Sequence, residues 1–311
     1  MGAQHNGMTG GNIALPDNGG PLSYSVDAAH GSVRLRYFAP PRELRAYFGS
    51  LYFFSVTADR YSDVTRADVP QLRLMLAGSG DYHFHDGTIL STPSICLLGP
   101  TIGATRFQLN EPGRVLGISL LPAGWVALRN DDASMMADRL CDPGCDNLTA
   151  LLDRLRAMPE NQVEEMAALC WAELGRLIKP LRGATWALLE AVDAWLTGEG
   201  SPRIETLTEM TDLSARQLAR LTNRYYGAPP KLLARKYRAL RCASRIALDH
   251  DSWQQLCDEC GFYDQSHFIR EIKHFIGLTP HQLQTEPSAV AQLTLLRRSL
   301  GSDVAVLNRL S

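Results

Sequence analysis

The sequence lacks a hydrophobic run long enough to cross a membrane. Residues 1–30 also lack the basic start and apolar core of an export signal, and Gly, Asn and Pro are scattered through them without periodicity. These absences predict a cytoplasmic protein with no membrane partner, and a disordered tail over residues 1–30.

The usual arrangements of catalytic and metal-binding residues are missing too. No nucleophile with a base, no acid–base pair and no phosphate loop stands out. His83 and His85 lie two apart on a predicted strand, so both face the same side, as cupin metal ligands do. Such a site also needs a Glu and a third His, and residues 87–107 contain neither. We therefore expect no enzyme, no metal and no cofactor, and interpret these histidines as surface or turn residues.

Seven cysteines, an odd and scattered number in a chain without an export signal, predict reduced thiols. Cys257 and Cys260 form a CxxC pair, but no second pair completes a zinc site. On a predicted helix they are interpreted as small core residues. Thiol sensing at Cys141 and Cys145, which flank a turn, is the minor alternative.

An overall excess of positive charge is absent, since 31 Lys and Arg face 33 Asp and Glu. The distribution is uneven, because the stretch from Ser214 to Leu248 contains nine basic residues and no acidic one. Taken alone, such a run is usually a solvated helix face. Beside DNA-reading helices it favours contacts with phosphates.

The most informative stretch runs from Asp251 to Gln282 and is typical of a helix-turn-helix. Ser252 with Gln255 predicts a capping box for a short first helix, which ends at Gly261. Asp264 then caps a second helix, and Gly277 with Pro280 ends it. Apolar residues on one face of that helix leave a polar face for a DNA groove. The buried face is predicted to carry Phe268, Ile272 and Phe275.

A second copy of this pattern runs from Ile204 to Gly227, with a capping box of Ser214 and Gln217. Pro229 and Pro230 begin a long amphipathic helix between the two units. Its apolar residues are predicted to join the two halves; these are Leu233, Tyr237, Leu240 and Ile246.

The sequence from Gly261 to Pro280, GFYDQSHFIREIKHFIGLTP, together with LSARQLARL and GAPP upstream, resembles the AraC/XylS-type bacterial transcription regulators over residues 187–284. In that family two recognition helices enter successive major grooves. The resemblance centres the first reader on Arg216, Ala219 and Arg220 and the second on Gln265, Ser266 and Arg270. The full set of predicted DNA-binding residues is Ser214, Ala215, Arg216, Gln217, Ala219, Arg220, Asn223, Arg224, Lys236, Gln265, Ser266, His267, Arg270 and Lys273.

The N-terminal half reads as short apolar runs bounded by Gly, Pro or Asn, which predicts a small barrel or sandwich. Gly78, Ser79 and Gly80 predict a hairpin turn between two of its strands. Helical spacing follows over 133–140, 148–158, 162–178 and 185–196. The predicted fold class is α+β with two domains: a β-rich, barrel-like domain with helices, and an all-α domain of two helix-turn-helix units joined by a long helix.

The predicted boundaries divide the chain into five parts. These are the tail (1–30), a β-rich effector or dimerisation domain (31–160), a helical connector (161–186), the DNA-binding domain (187–286) and a C-terminal tail (287–311) of unassigned packing.

The N-terminal half also resembles the cupin-like sensing domains that precede the DNA-binding module in this family. The predicted function is a sequence-specific transcription factor, more often an activator in this family, that binds double-stranded promoter DNA. The resemblance adds RNA polymerase, an unidentified small-molecule effector and a second copy of the chain as partners to test. The alternative is a small-molecule or metal-binding barrel that uses the DNA module only for docking.

Overall fold

The structure is a computed structural model that describes residues 13–14, 22–28, 31–198 and 200–311. Over these residues it has the predicted α+β, two-domain organisation, with β-strands in the N-terminal half and helices in the C-terminal half. No helix in the described ranges is both long and apolar enough to span a membrane.

The strands of the N-terminal domain form two antiparallel sheets. They are β1 Ile13–Ala14, β2 Leu22–Ala28, β3 Gly31–Phe38, β4 Phe48–Val56, β5 Tyr61–Thr65, β6 Gln71–Ala77, β7 Gly80–His83, β8 Ile89–Ser91, β9 Ile95–Leu98, β10 Thr105–Leu109, β11 Gly113–Leu120 and β12 Leu140–Cys141. One sheet has the order β1-β2-β3-β4-β11-β6-β9-β12 and the other β5-β10-β7-β8. The larger sheet is built around β4 and β11, where Phe53 lies opposite Leu116.

Two predictions for this region are wrong in detail. β6 and β7 belong to different sheets, so the turn at Gly78 carries the chain across the domain and does not close a hairpin. The predicted disordered tail contains β2, which pairs along its length with β3, and the short β1. The rest of residues 1–30 lies outside the described ranges.

Three α-helices follow β11 in the chain and pack on the larger sheet: α1 Pro122–Leu128, α2 Asn147–Ala157 and α3 Val163–Leu177. The helix predicted over 133–140 is only a 3-10 turn, Ala133–Met136. Asp138 adopts a left-handed φ of 52°, which ends the turn, and its carboxylate accepts a hydrogen bond from the Ile102 amide at 3.1 Å. The residues that follow pair with β9 as β12.

The C-terminal half contains seven helices between residues 184 and 285, within the described ranges. They are α4 Ala184–Thr197, α5 Ile204–Thr211, α6 Ala215–Tyr226, α7 Pro230–Leu248, α8 Trp253–Glu259, α9 Gln265–Ile276 and α10 Pro280–Thr285. The long α7 is the centre of their core, with Leu233, Tyr237, Leu240 and Ile246 buried as predicted.

Segment 287–311, the predicted C-terminal tail, packs back on the body of the protein. It forms α11 Ala289–Leu295, the 3-10 helix Leu296–Asp303 and α12 Val306–Leu310. α11 contacts β2, β5 and α7, and α12 contacts α4 and α7. We call residues 287–311 the bridging segment, because they touch both domains.

A half-buried carboxyl group on α4 gives the C-terminal helical half a pH-dependent stability. The Tyr226 hydroxyl donates to Asp193 Oδ1 at 2.7 Å, yet burial raises the pKa of Asp193 from 3.8 to about 7. Because the pKa of Asp193 is higher in the folded state than in the unfolded state, the folded state retains the proton up to a higher pH. The contribution of Asp193 to the free energy of unfolding is therefore fully present below about pH 4 and is lost as the pH rises to about 7. This loss amounts to at most about 4 kcal/mol.

We expect Asp193→Asn to flatten this pH dependence, because the amide oxygen still accepts from Tyr226 and does not ionise. The measurement is the urea midpoint from pH 4.5 to 8 for both proteins. The variant should gain relative stability as pH rises, and parallel curves would contradict the assignment.

Candidate nucleic-acid interface

The first helix-turn-helix is formed by α5 and α6. Asp212 takes a left-handed φ of 52° and ends α5. Ser214 then caps α6: its side chain accepts from the Gln217 amide, and the Gln217 side chain accepts from the Ser214 amide at 3.0 Å. The capping box is therefore confirmed. Both side chains are exposed, but their polar groups are engaged in the hydrogen bonds of the capping box.

The exposed face of α6 is cationic at its N-terminal end. Leu218, Thr222 and Tyr226 point into the core. Ala215, Arg216 and Arg220 are exposed, and within the described ranges neither arginine forms an ion pair. Of the other predicted readers on this helix, Ala219 and Asn223 are half-buried, and Arg224 is exposed but donates to Asn130 Oδ1 at 3.3 Å.

The second helix-turn-helix is held together by aromatic packing. Phe268 is fully buried, stacked on Trp253 with ring centroids 6.2 Å apart and edge-on to Phe262 at 4.8 Å. Asp264 caps α9 by accepting from the His267 amide at 2.6 Å, as predicted. The predicted capping box at Ser252 is wrong, because the Ser252 hydroxyl bonds to Gln254 Oε1 at 2.9 Å instead.

The polar face of α9 is open to solvent and carries no net negative charge. The predicted readers Gln265, Ser266, Arg270 and Lys273 are all exposed. His267 is half-buried, with its ring against Phe262.

The helix's carboxylate, Glu271, is buried and receives two hydrogen bonds from Arg235 on α7, at 2.9 and 2.6 Å. Burial opposes its ionisation, but these bonds hold the pKa of Glu271 below its usual value. The exposed face of α9 is thus left to the polar and cationic side chains.

Lys236 does not lie where the sequence predicted. It is 4% exposed, and its ammonium donates to the carbonyls of Asp68 at 2.7 Å and Thr101 at 2.9 Å in the N-terminal domain. Burial lowers the pKa of Lys236 to about 8. In this arrangement Lys236 joins the two domains and cannot contact a DNA phosphate.

The rest of the basic run on α7 is mostly structural as well. Arg241 donates to the Leu196 carbonyl, and Arg245 pairs with Asp251 and Glu259. Together with the Arg235 pair, this leaves few α7 cations for phosphates. Lys231, at the start of the helix, is exposed.

The C-terminal ends of both recognition helices rest on the N-terminal domain. The carbonyls of Phe275 and His274 accept from the Ala67 and Ala104 amides, each at 2.7 Å. Gly227, at the end of α6, lies so close to Pro100 that an added Cβ would be 2.3 Å from its ring. The two helices are therefore anchored at one end, while the residues predicted to read DNA in their N-terminal halves are largely exposed.

His83 and His85, which the sequence places two residues apart like cupin metal ligands, do not lie together at one site. His85 lies beyond β7, with Nδ1 3.5 Å from Asp138 Oδ2 and its ring 5.3 Å from that of His274 on α9. His83 is half-buried at the end of β7. In the described part of the chain, no three His, Cys, Asp or Glu side chains are grouped to hold a metal ion.

A small cavity of about 70 Å³ lies between the two sheets. Strands of both sheets supply aromatic walls, and the bridging segment supplies Val290, Thr294 and Arg297. No sequence signal pointed to these three residues, because the contact joins parts of the chain that are far apart in sequence.

Two helix-turn-helix units on one long helix, each with an exposed polar or cationic recognition helix, define a DNA-binding protein. A family model described as a helix-turn-helix domain matches residues 207–286. The chain carries an AraC-type helix-turn-helix domain and is a DNA-binding transcription regulator.

Comparisons with whole proteins add little. No curated protein sequence matches the chain. ToxT from Vibrio cholerae O395 is 13% identical over 73% of this chain and 99% of that chain, with a TM-score of 0.41. The apo ToxT variant K231A from Vibrio cholerae strain SCE256 is 12% identical over 83% of this chain and 98% of that chain, with a TM-score of 0.43. The AraC-like transcriptional activator CuxR is 14% identical over 76% of this chain and 87% of that chain, with a TM-score of 0.31. These TM-scores are too low to support a conclusion about this chain.

Proposed function

We propose that this regulator reads two adjacent major grooves with the N-terminal halves of α6 and α9, and that its N-terminal domain sets the positions of the two helices. The supporting observation is the asymmetry of both helices. Their C-terminal ends are bonded to the N-terminal domain, whereas Arg216 and Arg270, in the N-terminal halves of α6 and α9, are exposed. Recognition helices commonly contact bases through such N-terminal residues.

The test is substitution of one reader at a time. We expect Arg216→Ala and Arg270→Ala each to cost about 1–3 kcal/mol on a selected operator and to relax base preference at one position. The operator would first be obtained by selecting genomic fragments at near-physiological salt, since weak phosphate binding falls steeply with salt.

Arg154→Ala is the matched control, because Arg154 is an exposed arginine on α2 in the N-terminal domain. It should leave operator affinity unchanged. Equal losses on operator and random DNA for Arg270→Ala would show a phosphate contact and would remove Arg270 from the readers.

We further propose that the regulator acts in the cytoplasm and that its chain divides into three functional parts. These are the effector or dimerisation domain (31–160), the connector (161–186) and the DNA-binding domain (187–286). α3 packs on the larger sheet, which supports a connector that belongs structurally to the N-terminal domain. Activation through RNA polymerase, and action as a homodimer, would be read from in vitro transcription and from the mass of the DNA complex.

A further inference from the structure

Two cysteines meet where α7 packs against the second helix-turn-helix. Cys242, on α7, is fully buried, and Cys260, the residue that follows α8, is half-buried. Both are free thiols, and the Cys242 thiol donates a hydrogen bond to the Cys260 sulfur. The sequence motif pairs Cys260 with Cys257, whereas the structure gives it Cys242 as a hydrogen-bond partner.

Contacts on either side of Cys260 hold it against this part of α7. The carbonyl of the residue that follows it accepts from Arg238 at 3.3 Å, and Glu259, which precedes it, pairs with Arg245 at 2.9 Å. These arginines are four residues before and three residues after Cys242, so all three side chains leave α7 on one face. The backbone around both thiols is therefore fixed where their sulfurs meet.

The surroundings of Cys260 favour its thiolate, which is the reactive form of cysteine. The hydrogen bond from Cys242, together with the charges of Arg245 and Arg241, lowers the pKa of Cys260 from 9.0 to about 7, although burial acts against this. The same hydrogen bond and burial raise the pKa of Cys242, so that thiol keeps its proton. The pair thus joins a partly exposed nucleophile to a buried, protonated thiol.

Two other half-buried thiols, those of Cys141 and Cys145, have the opposite environment. Burial raises the pKa of each, and the carboxylates of Glu173 and Asp146 add to the effect at Cys145. These two cysteines, considered above for thiol sensing, therefore carry less thiolate than Cys260 at neutral pH.

We propose that Cys260 and Cys242 form a peroxide-reactive pair, which a hydroperoxide converts to a disulfide between α7 and the end of α8, and that this bond weakens operator binding by the second helix-turn-helix. The part that concerns the operator rests on the proposed function.

The oxidation has two steps, with the hydroperoxide as the oxidant. The Cys260 thiolate attacks a peroxide oxygen, the O–O bond breaks, and the leaving hydroxide or alkoxide takes a proton from water, which leaves Cys260 as a sulfenic acid. The Cys242 sulfur then attacks the Cys260 sulfur, the S–O bond breaks, and the hydroxide leaves as water with the proton of the Cys242 thiol. The two sulfurs lose two electrons and the peroxide gains them. Because the second step is intramolecular, the buried Cys242 needs no contact with the oxidant.

The disulfide would act on the turn that leads into α9. A covalent bond holds two sulfurs closer together than a hydrogen bond does, so the end of α8 must move toward α7. Phe262, in this turn, has its ring 4.8 Å from that of Phe268 on α9 and 4.3 Å from the Arg238 guanidinium. These contacts pass the displacement to the N-terminal end of α9, where the predicted readers Gln265 and Ser266 lie.

The reactivity of Cys260 is tested by brief labelling of the reduced full-length protein with iodoacetamide at pH 7, followed by peptide mass spectrometry. We expect Cys260 to be labelled about tenfold faster than Cys145, because both are half-buried but a larger fraction of Cys260 is thiolate. Equal rates at the two cysteines would overturn the assignment of Cys260 as the nucleophile.

The disulfide is tested by treating the reduced protein with a small excess of hydrogen peroxide and mapping its peptides. Trypsin cleaves after Arg241 and Arg245, which separates Cys242 from a longer peptide that carries both Cys257 and Cys260. We expect these two peptides to be joined in the wild type and in Cys257→Ala. A disulfide confined to the longer peptide, or oxidation without a crosslink, would overturn the pair.

The effect on DNA is measured with the operator selected as described above. The crosslinked wild type should bind it about tenfold more weakly, the loss expected for one base contact, and dithiothreitol should restore binding. Cys242→Ala, which cannot form the bond, should keep its affinity after the same treatment, with its fold checked by circular dichroism.

Unchanged affinity of the crosslinked wild type, or an equal loss in Cys242→Ala, would overturn the effect of the disulfide on the operator. The labelling and the peptide map use no DNA. Failure to select any operator with the reduced protein would therefore count against the proposed function alone and would leave the disulfide to be decided by its own test.

Discussion

Phe268→Ala is expected to unfold the second helix-turn-helix at much lower urea concentration than in the wild type. The substitution removes a fully buried ring that is stacked on Trp253 and meets the edge of Phe262. Large-to-small changes at such positions cost about 3–5 kcal/mol, because the neighbours only partly fill the space left. Tryptophan fluorescence and circular dichroism in a urea titration measure the loss, and operator binding should disappear with it.

Tyr263→Ala provides the comparison, since Tyr263 is an aromatic residue in the same turn but 92% exposed. Its stability should change by no more than about 0.5 kcal/mol. If the two variants unfold at the same midpoint, the ring cluster around Phe268 does not hold this unit together.

Gly277→Ala is the second change with a large expected effect, and it acts on the contact between the domains. Gly277 has a left-handed φ of 87° at the end of α9, and an added Cβ would lie 2.4 Å from Val64 Cγ2 on β5. The Val side chain is stiff at χ1, so the helix end must move away from the sheet. We expect a loss of about 1–3 kcal/mol beyond the backbone strain, and faster exchange at the Ala67 and Ala104 amides.

Gly261→Ala separates backbone strain from the clash. Gly261 has a similar φ of 68° in the same unit, but an added Cβ there meets nothing within 4 Å. That variant should pay only the strain of a left-handed alanine, about 1–2 kcal/mol, with unchanged exchange at Ala67 and Ala104. Adding Val64→Ala to Gly277→Ala should restore part of the docking; no recovery would contradict the role of Val64.

The features predicted correctly from the sequence are those that depend on neighbours in the chain. The cap at Ser214, the cap at Asp264 and the left-handed end at Gly277 each involve residues within one helical turn, so spacing determines them. The failed capping box at Ser252 has the same short range, but there Gln254 takes the serine hydroxyl.

Features decided by distant parts of the chain were not predictable in this way. Lys236 lies in a basic run, and nothing beside it in sequence indicates that its partners are the carbonyls of Asp68 and Thr101, 168 and 135 positions away. Arg73 and Arg297 come together at one cavity for the same reason. The exposure of the predicted DNA-reading faces of α6 and α9 could be predicted because apolar residues that recur at the helical period define the buried face and leave the opposite face to solvent.

The bridging segment also bears on the order in which the protein can fold. Asp63 and Arg66 find partners in Val290 and Ser311 that are 227 and 245 positions away, so these contacts close some of the longest loops in the chain. During synthesis, the N-terminal sheets emerge long before residues 287–311. The cavity must therefore stand with one wall missing until the whole DNA-binding half has been translated, and no contact through that wall can stabilise the nascent N-terminal sheets before then.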